Sequence, residues 1–287
     1  MPGIRVAIAC FFAALFLYSP ALCAGGEIDF HFKGTFHQGG LVTGKAPAGS
    51  TLHFEGRSLR ISQTGAFVIA FGRNAKADAD LAYHLADGSE GVRHLTIASR
   101  DFPTEKINGL AADKVTPDAA RMARIRAEGA LLAKARRGDH DEAFFVNGFS
   151  WPVLGRISGV YGSQRILNGV RRSPHSGTDI AAPRGTPVTA PADGIVALRH
   201  LDMFFTGQTL VLDHGHGLFT VYAHLDRIDV EEGDRVKKGD PIATIGATGR
   251  ATAPHLHWGI SWFGIALDPQ SVAGVMPTAT PPITKAR

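Results

Sequence analysis

The 287-residue chain has only two cysteines, Cys10 and Cys23, and both lie in its first 23 residues. Beyond them no disulfide framework can form, and any metal site must draw on His, Asp or Glu. Charged residues make up only 20% against 44% hydrophobic, which excludes a disordered chain and points to a globular one. The formal net charge is just +4, with a pI of about 9.2, a mild bias compatible with an anionic partner. No cluster of Lys and Arg alternates with aromatics, as a single-strand binder requires, so nucleic acid is not expected as a partner. No H-E-x-x-H stretch offers a glutamate base beside metal histidines. Gly246 and Gly249 in "GATGR" and the glycines of "EEGDRVKKGDPI" read as turn residues, since no phosphate loop follows.

The apolar run from Val6 to Tyr18 is too short to span a bilayer comfortably. Arg5 stands before it, and Pro20 and small residues follow. This pattern predicts a secretory signal peptide over residues 1–23, cut after Cys23 in Ala21-Leu22-Cys23. Acylation of Cys23 is opposed by the bulky Leu22 directly before it. A retained membrane anchor is the alternative. The chain is expected to be exported.

Residues 24–100 alternate apolar and polar residues in short runs cut by Gly, Pro, Ser and Asn, which predicts a small β-sandwich. His31, His37, His53, His84 and His94 are scattered there without metal-like spacing. Residues 101–143 read as a linker with a helix over about 117–137. Thr116 is the expected N-cap, Pro117 the first helical position, and Asp118 lies in the first turn. Met122, Ile125 and Leu132 can share a face, and the basic residues of the C-terminal half suit the helix dipole. Residues 144–271 hold short strands with Gly-rich turns, which predicts an antiparallel sheet or sandwich, and residues 272–287 a Pro/Thr-rich disordered tail. The fold class is mostly β.

Three stretches of the second β region carry chemistry. "HLHWGIS" as a strand turns His255 and His257 to one face and Leu256 and Trp258 to the other. "SPHSGTDIAAP" spaces His175 and Asp179 as H-x3-D, and "VYAHLDRI" adds His224. Two histidines and one aspartate make a tripod for Zn²⁺ with a fourth position open, the arrangement of a catalytic site rather than a structural one. His214 and His216 flank a Gly turn and read as structural. Arg165 and Asn168, shortly before His175, either line a substrate groove or brace a loop.

These motifs carry a resemblance. From Trp151 to Pro269 the chain is similar to the lysostaphin-type zinc metallopeptidases, the peptidoglycan endopeptidases, through "HSGTDIAAPRGTPVTAPADGIV", "YAHL", "VEEGDRVKKGDPIATIGATGRATAPHLHWGI" and "LDP". The resemblance implies that His175, Asp179 and His257 bind one zinc ion. It implies that His224 and His255 are the catalytic, non-ligand histidines. It implies peptidoglycan as partner and substrate, with a D-alanyl–diaminopimelate cross-link the expected bond and a pentaglycine bridge the alternative. Gly26 to Glu142 resembles the N-terminal β-domain and linking helix of Gram-negative exported members, which implies the periplasm and leaves room for a protein regulator. That added half could supply a second attachment to the polymer or cover the groove. Two rivals stand beside this reading. One is a non-catalytic member that binds and activates a cell-wall amidase; the other is a zinc-dependent deacetylase of cell-wall sugars.

Overall fold

The computed structural model describes residues 28–277. The expected signal peptide and residues 278–287 of the expected tail lie outside the described residues.

The N-terminal part is two small antiparallel sheets face to face. One orders Lys33–Gly34, Leu41–Lys45 and Ala66–Ala70; the other orders Arg57–Leu59, Thr51–Phe54, Asp78–His84 and Glu90–Thr96. Alternation decides the facing: in Thr51–Phe54, Leu52 and Phe54 are buried while Thr51 and His53 are exposed. Leu52, Phe67, Ile69 and Leu81 from the two sheets form one core with Phe30 of the segment before them, which lies edge-on to Phe67 at 6.0 Å. His31, His53, His84 and His94 stand exposed on this unit and His37 is half-buried.

The C-terminal part is a large antiparallel sheet. Its main path runs Arg235–Val236, Gly194–Met203, Gly207–Asp213, Leu218–Ile228, His255–Trp262, Gly177–Ala181 and Arg156–Gly159. One face packs Trp151, Ile180, Leu212, Tyr222, Leu256 and Trp258 into a core. Burying a side chain such as Leu256 contributes about 2 kcal/mol. On the other face Leu198, Met203, Val211 and Phe219 meet Leu132 and Ala135 of a helix.

The two parts are not separate bodies on a tether. Leu218, Ile260, Trp262 and Leu267 of the large sheet belong to the same core as the sandwich, and Trp262 lies 6.1 Å from Phe54. The segment read as a linker is structured too. Thr104–Ile107 forms a strand parallel to Gln164–Leu167, and Ala112–Val115 is a short helix.

The long helix runs Ala119–Ala135, two residues shorter at each end than expected. Its N-cap is Asp118, whose carboxylate accepts the Arg121 backbone N–H at 2.8 Å, and Thr116 instead closes the short helix before it. The inward stripe is Ile125, Glu128 and Leu132, while Met122 is 37% exposed. Glu128 can be buried because Oε2 accepts the Phe204 backbone N–H at 2.8 Å and Oε1 the Arg124 Nε–H at 2.6 Å. The tail also departs from expectation: a helical turn, Gln270–Ala273, crosses its boundary, and Val272 and Met276 pack on the core.

Candidate metal centre

Strand register brings the ligand candidates together. Gly177–Ala181 pairs antiparallel with His255–Trp262 so that Asp179 stands opposite His257, and on the other side His257 stands opposite Ala223, one residue before His224. Leu256 and Trp258 are fully buried, which locks His255 and His257 toward the cleft. His175 comes from a loop tied down by its own backbone: its N–H donates to Ser163 O and its carbonyl accepts from Gly162 N, both at 2.9 Å.

Three atoms converge. His175 Nε2 lies 2.9 Å from His257 Nδ1 and 3.1 Å from Asp179 Oδ1, and His257 Nδ1 lies 2.9 Å from the same oxygen. His175 Nδ1 donates to Val160 O at 3.1 Å, which leaves Nε2 with a bare lone pair. Two imidazole nitrogens and a carboxylate oxygen crowded this closely are a donor set for a cation. Their spacing is close to the roughly 3.3 Å edge of a tetrahedron of Zn–N bonds about 2.0–2.1 Å long. Burial alone would raise the Asp179 carboxyl, but hydrogen bonds and charge from His175 and His257 outweigh it and hold it well below the usual carboxylate range. Burial pushes His257 down to about 4 against the pull of Asp179, so the ring is neutral, the form that ligates. Zinc fits these residues.

His224 and His255 complete the site without joining the triangle. Their rings are 4.7 Å apart, and His255 Nε2 is 3.9 Å from Asp179 Oδ1. His224 Nδ1 donates to Thr248 O and His255 Nδ1 to Ala253 O, both at 2.8 Å. Each therefore offers Nε2 as its free nitrogen. His224 sits in the left-handed region, at φ 63°, where the register against Gly207–Asp213 shifts between Tyr222 and Leu225. That conformation costs about 1 kcal/mol and re-aims the ring. Burial, then the neighbouring His255 and His257, push His224 down to about 3, so it too is neutral.

The remaining candidates fall elsewhere. Arg165 does not offer itself freely to a groove: its Nη2 donates to Asp179 Oδ2, and its Nε lies 3.7 Å from Glu105 Oε2. It fixes the Asp179 carboxylate. Asn168 is a loop brace outside the cleft, donating to Leu110 O at 2.7 Å and accepting Leu110 N–H at 3.3 Å. His214 is wholly buried between Asp193 O and the Thr220 hydroxyl, and His216 stacks edge-on to Phe145 at 5.2 Å, so both are structural.

The cleft beside these groups has a volume of about 470 Å³. Its walls include His224 and Phe205 but also Arg172, Arg250, Val115 and Ile125. Sequence reasoning gave none of the last four a place in a cleft: Arg172, Val115 and Ile125 carry no site motif, and Arg250 ends the "GATGR" turn, read for its glycines alone. Beyond His175 a second recess of about 420 Å³ runs between Arg73–Ala75 of the sandwich and Pro174–Ser176.

Residues 173–269 match the family described as Peptidase family M23. Among curated relatives, "Peptidoglycan DD-endopeptidase ShyA" of Vibrio cholerae is 40% identical over 179 residues, covering 60% of this chain and 40% of that one. "DD-carboxypeptidase/endopeptidase Mpg" of Neisseria meningitidis is 41% identical over 136 residues, covering 47% and 30%. The chain thus spans 40% or less of the length of these relatives. A Pseudomonas aeruginosa crystal structure described as a peptidase M23 aligns with a TM-score of 0.63 and 27% identity, over 84% of this chain and 96% of that one. The matched stretch contains both strands that pair Asp179 with His257, and with them His175, His224 and His255: this chain carries a lysostaphin-type peptidase M23 domain.

Proposed function

We propose that this protein is a zinc-dependent endopeptidase that cuts peptide cross-links of peptidoglycan, with one zinc per chain and the D-alanyl–diaminopimelate bond as target. The observation that carries the reading is the convergence of His175 Nε2, Asp179 Oδ1 and His257 Nδ1, with the free Nε2 atoms of His224 and His255 beside them. The names of the Vibrio and Neisseria relatives, a peptidoglycan DD-endopeptidase and a DD-carboxypeptidase/endopeptidase, support the substrate class. A substrate of that kind places the protein outside the cytoplasm, in keeping with the signal peptide read from residues 1–23.

His175, Asp179 and His257 would hold the ion, with Arg165 fixing the second oxygen of Asp179. Zinc bound there supplies Lewis acidity, which polarises the scissile carbonyl and makes water nucleophilic at neutral pH. The chain's own part is proton handling and orientation. The imidazoles of His224 and His255, each with Nδ1 tied to a carbonyl, have one nitrogen apiece to take a proton from water or return it to the leaving amine. A non-catalytic amidase activator would have no use for the full set of ligands and both free imidazoles, so it stands second.

Digestion of purified sacculi of defined cross-link type, with products identified by mass spectrometry, tests the reading. New free amino and carboxyl termini at D-alanyl–diaminopimelate are expected. Released acetate, or no product from zinc-loaded protein, would overturn it.

A further inference from the structure

Three arginines reach the cleft, and only one is matched by acids. Arg165 is neutralised by Asp179 and Glu105. Among the described residues neither Arg172 nor Arg250 forms an ion pair; both give their hydrogen bonds to neutral carbonyls of the segment across the cleft. Arg172 Nη2 donates to Val115 O and lies 3.5 Å from Thr116 Oγ1, and Arg250 Nη1 donates to Lys114 O at 3.4 Å. Arg172 Nε is buried with no acceptor. The Arg250 guanidinium lies over the Phe205 ring at 4.3 Å, which fixes its plane. Burial, then the positive charges of Arg165 and Arg172, pull Arg250 down to about 10, so the three cations sense one another. Two half-buried guanidiniums on weak acceptors, in the wall shared with His175, His224 and His257, are built to receive an anion.

The proposed bond supplies one. Diaminopimelate has an amino-acid group at each end. A cross-link through one amine leaves the carboxylate of that end free, on the carbon that carries the scissile nitrogen. A pentaglycine bridge has no such group. We infer that Arg172 and Arg250 form the subsite for this carboxylate on the leaving-amine side of the scissile bond. The carbonyls of Lys114 and Val115 hold the subsite until substrate displaces them. A carboxylate adds to the hydrogen bond the attraction of opposite charges and can accept two parallel bonds from one guanidinium, which a neutral carbonyl cannot, and this gives the exchange its direction. The inference rests on the peptidoglycan reading and adds to it what selects the bond.

The test uses two cross-linked peptide dimers that differ only in that carboxylate, free in one and amidated in the other, with the zinc-loaded full chain. Hydrogen bonds to charged groups predict that wild type prefers the free acid roughly 10- to 100-fold in kcat/KM. In Arg172→Gln and Arg250→Gln the preference should collapse toward one, mainly through KM, and Arg172→Lys should restore part of it. Calorimetry of the zinc-free chain with the free-acid and amidated product peptides gives a readout without turnover, and the free acid should bind tighter to wild type alone. Equal cleavage of both dimers by wild type, or an unchanged preference in both Gln variants, would overturn the subsite. Cleavage of neither dimer would overturn the peptidoglycan reading instead, and calorimetry would still decide the subsite. Because the amidated dimer perturbs the substrate, the comparison survives a variant that fails to fold.

Discussion

His214 directly follows the strand Gly207–Asp213, with both ring nitrogens engaged. Nδ1 donates to Asp193 O at 2.6 Å, and Nε2 accepts from the Thr220 hydroxyl at 2.8 Å, whose oxygen accepts in turn from Tyr222 Oη at 2.8 Å. This chain of bonds needs a neutral ring, since protonating Nε2 would set a donor against a donor. Burial pushes His214 down to about 4 from its ordinary 6.5. The folded value is below the unfolded one, so between those pH values the unfolded chain binds more protons. The stability due to His214 is therefore complete above about pH 6.5 and is lost as pH falls toward 4. Linkage puts the loss at about 2 kcal/mol by pH 5 and about 3 kcal/mol by pH 4. His214→Gln isolates it, because an amide keeps one donor and one acceptor but does not titrate. His224, His257 and Asp179 also shift on folding, but they do so in both chains and cancel in the difference. Urea unfolding of the zinc-free chains from pH 7.5 to pH 4 should show wild type the more stable at the top, with its advantage shrinking by about 2 kcal/mol by pH 5. A stability difference that stays constant across the range would refute the claim that the fold holds this ring neutral.

Asp179→Ala and His257→Ala should purify without zinc by elemental analysis, whereas His224→Ala and His255→Ala should keep it and lose about 10²–10⁴-fold in cleavage rate. Full zinc in the first pair, or wild-type cleavage by either of the second, removes that residue from its role. A chain starting at Phe144 takes Phe54 from Trp262 and Leu132 from Phe219, so it should bind a hydrophobic dye and unfold at lower temperature than the full chain. A truncated chain that matches the full chain in both measurements would show the shared core to be dispensable.

What the sequence could show depends on how each residue is placed. His255 and His257 are legible because a strand has period two, so the pair declares its facing and Leu256 declares the core side. The antiparallel sheet was legible from short alternating runs and Gly turns for the same reason. The meeting of Asp179 with His257 was implied by the family resemblance and not by alternation, because register between strands 78 residues apart follows from packing across the whole sheet. His224 gave no sign that its strand breaks register there, since nothing in "YAHLD" marks a left-handed residue.

The helix shows propensity reasoning giving way to tertiary contacts. Thr116 and Asp118 both suit an N-cap, and the one chosen is the one the docked position leaves free to turn back on Arg121. Glu128 belongs by charge to the outer face, yet it is buried because the Phe204 N–H needs an acceptor. The same cause hid the cleft arginines and Val115. Arg250 meets Lys114 across 136 residues through loops that no periodicity describes. Strands thus carry Asp179 and His257, the candidate ligands that alternation can place, while His175 and the cleft arginines Arg172 and Arg250 ride on loops, where a side chain can change without moving a strand.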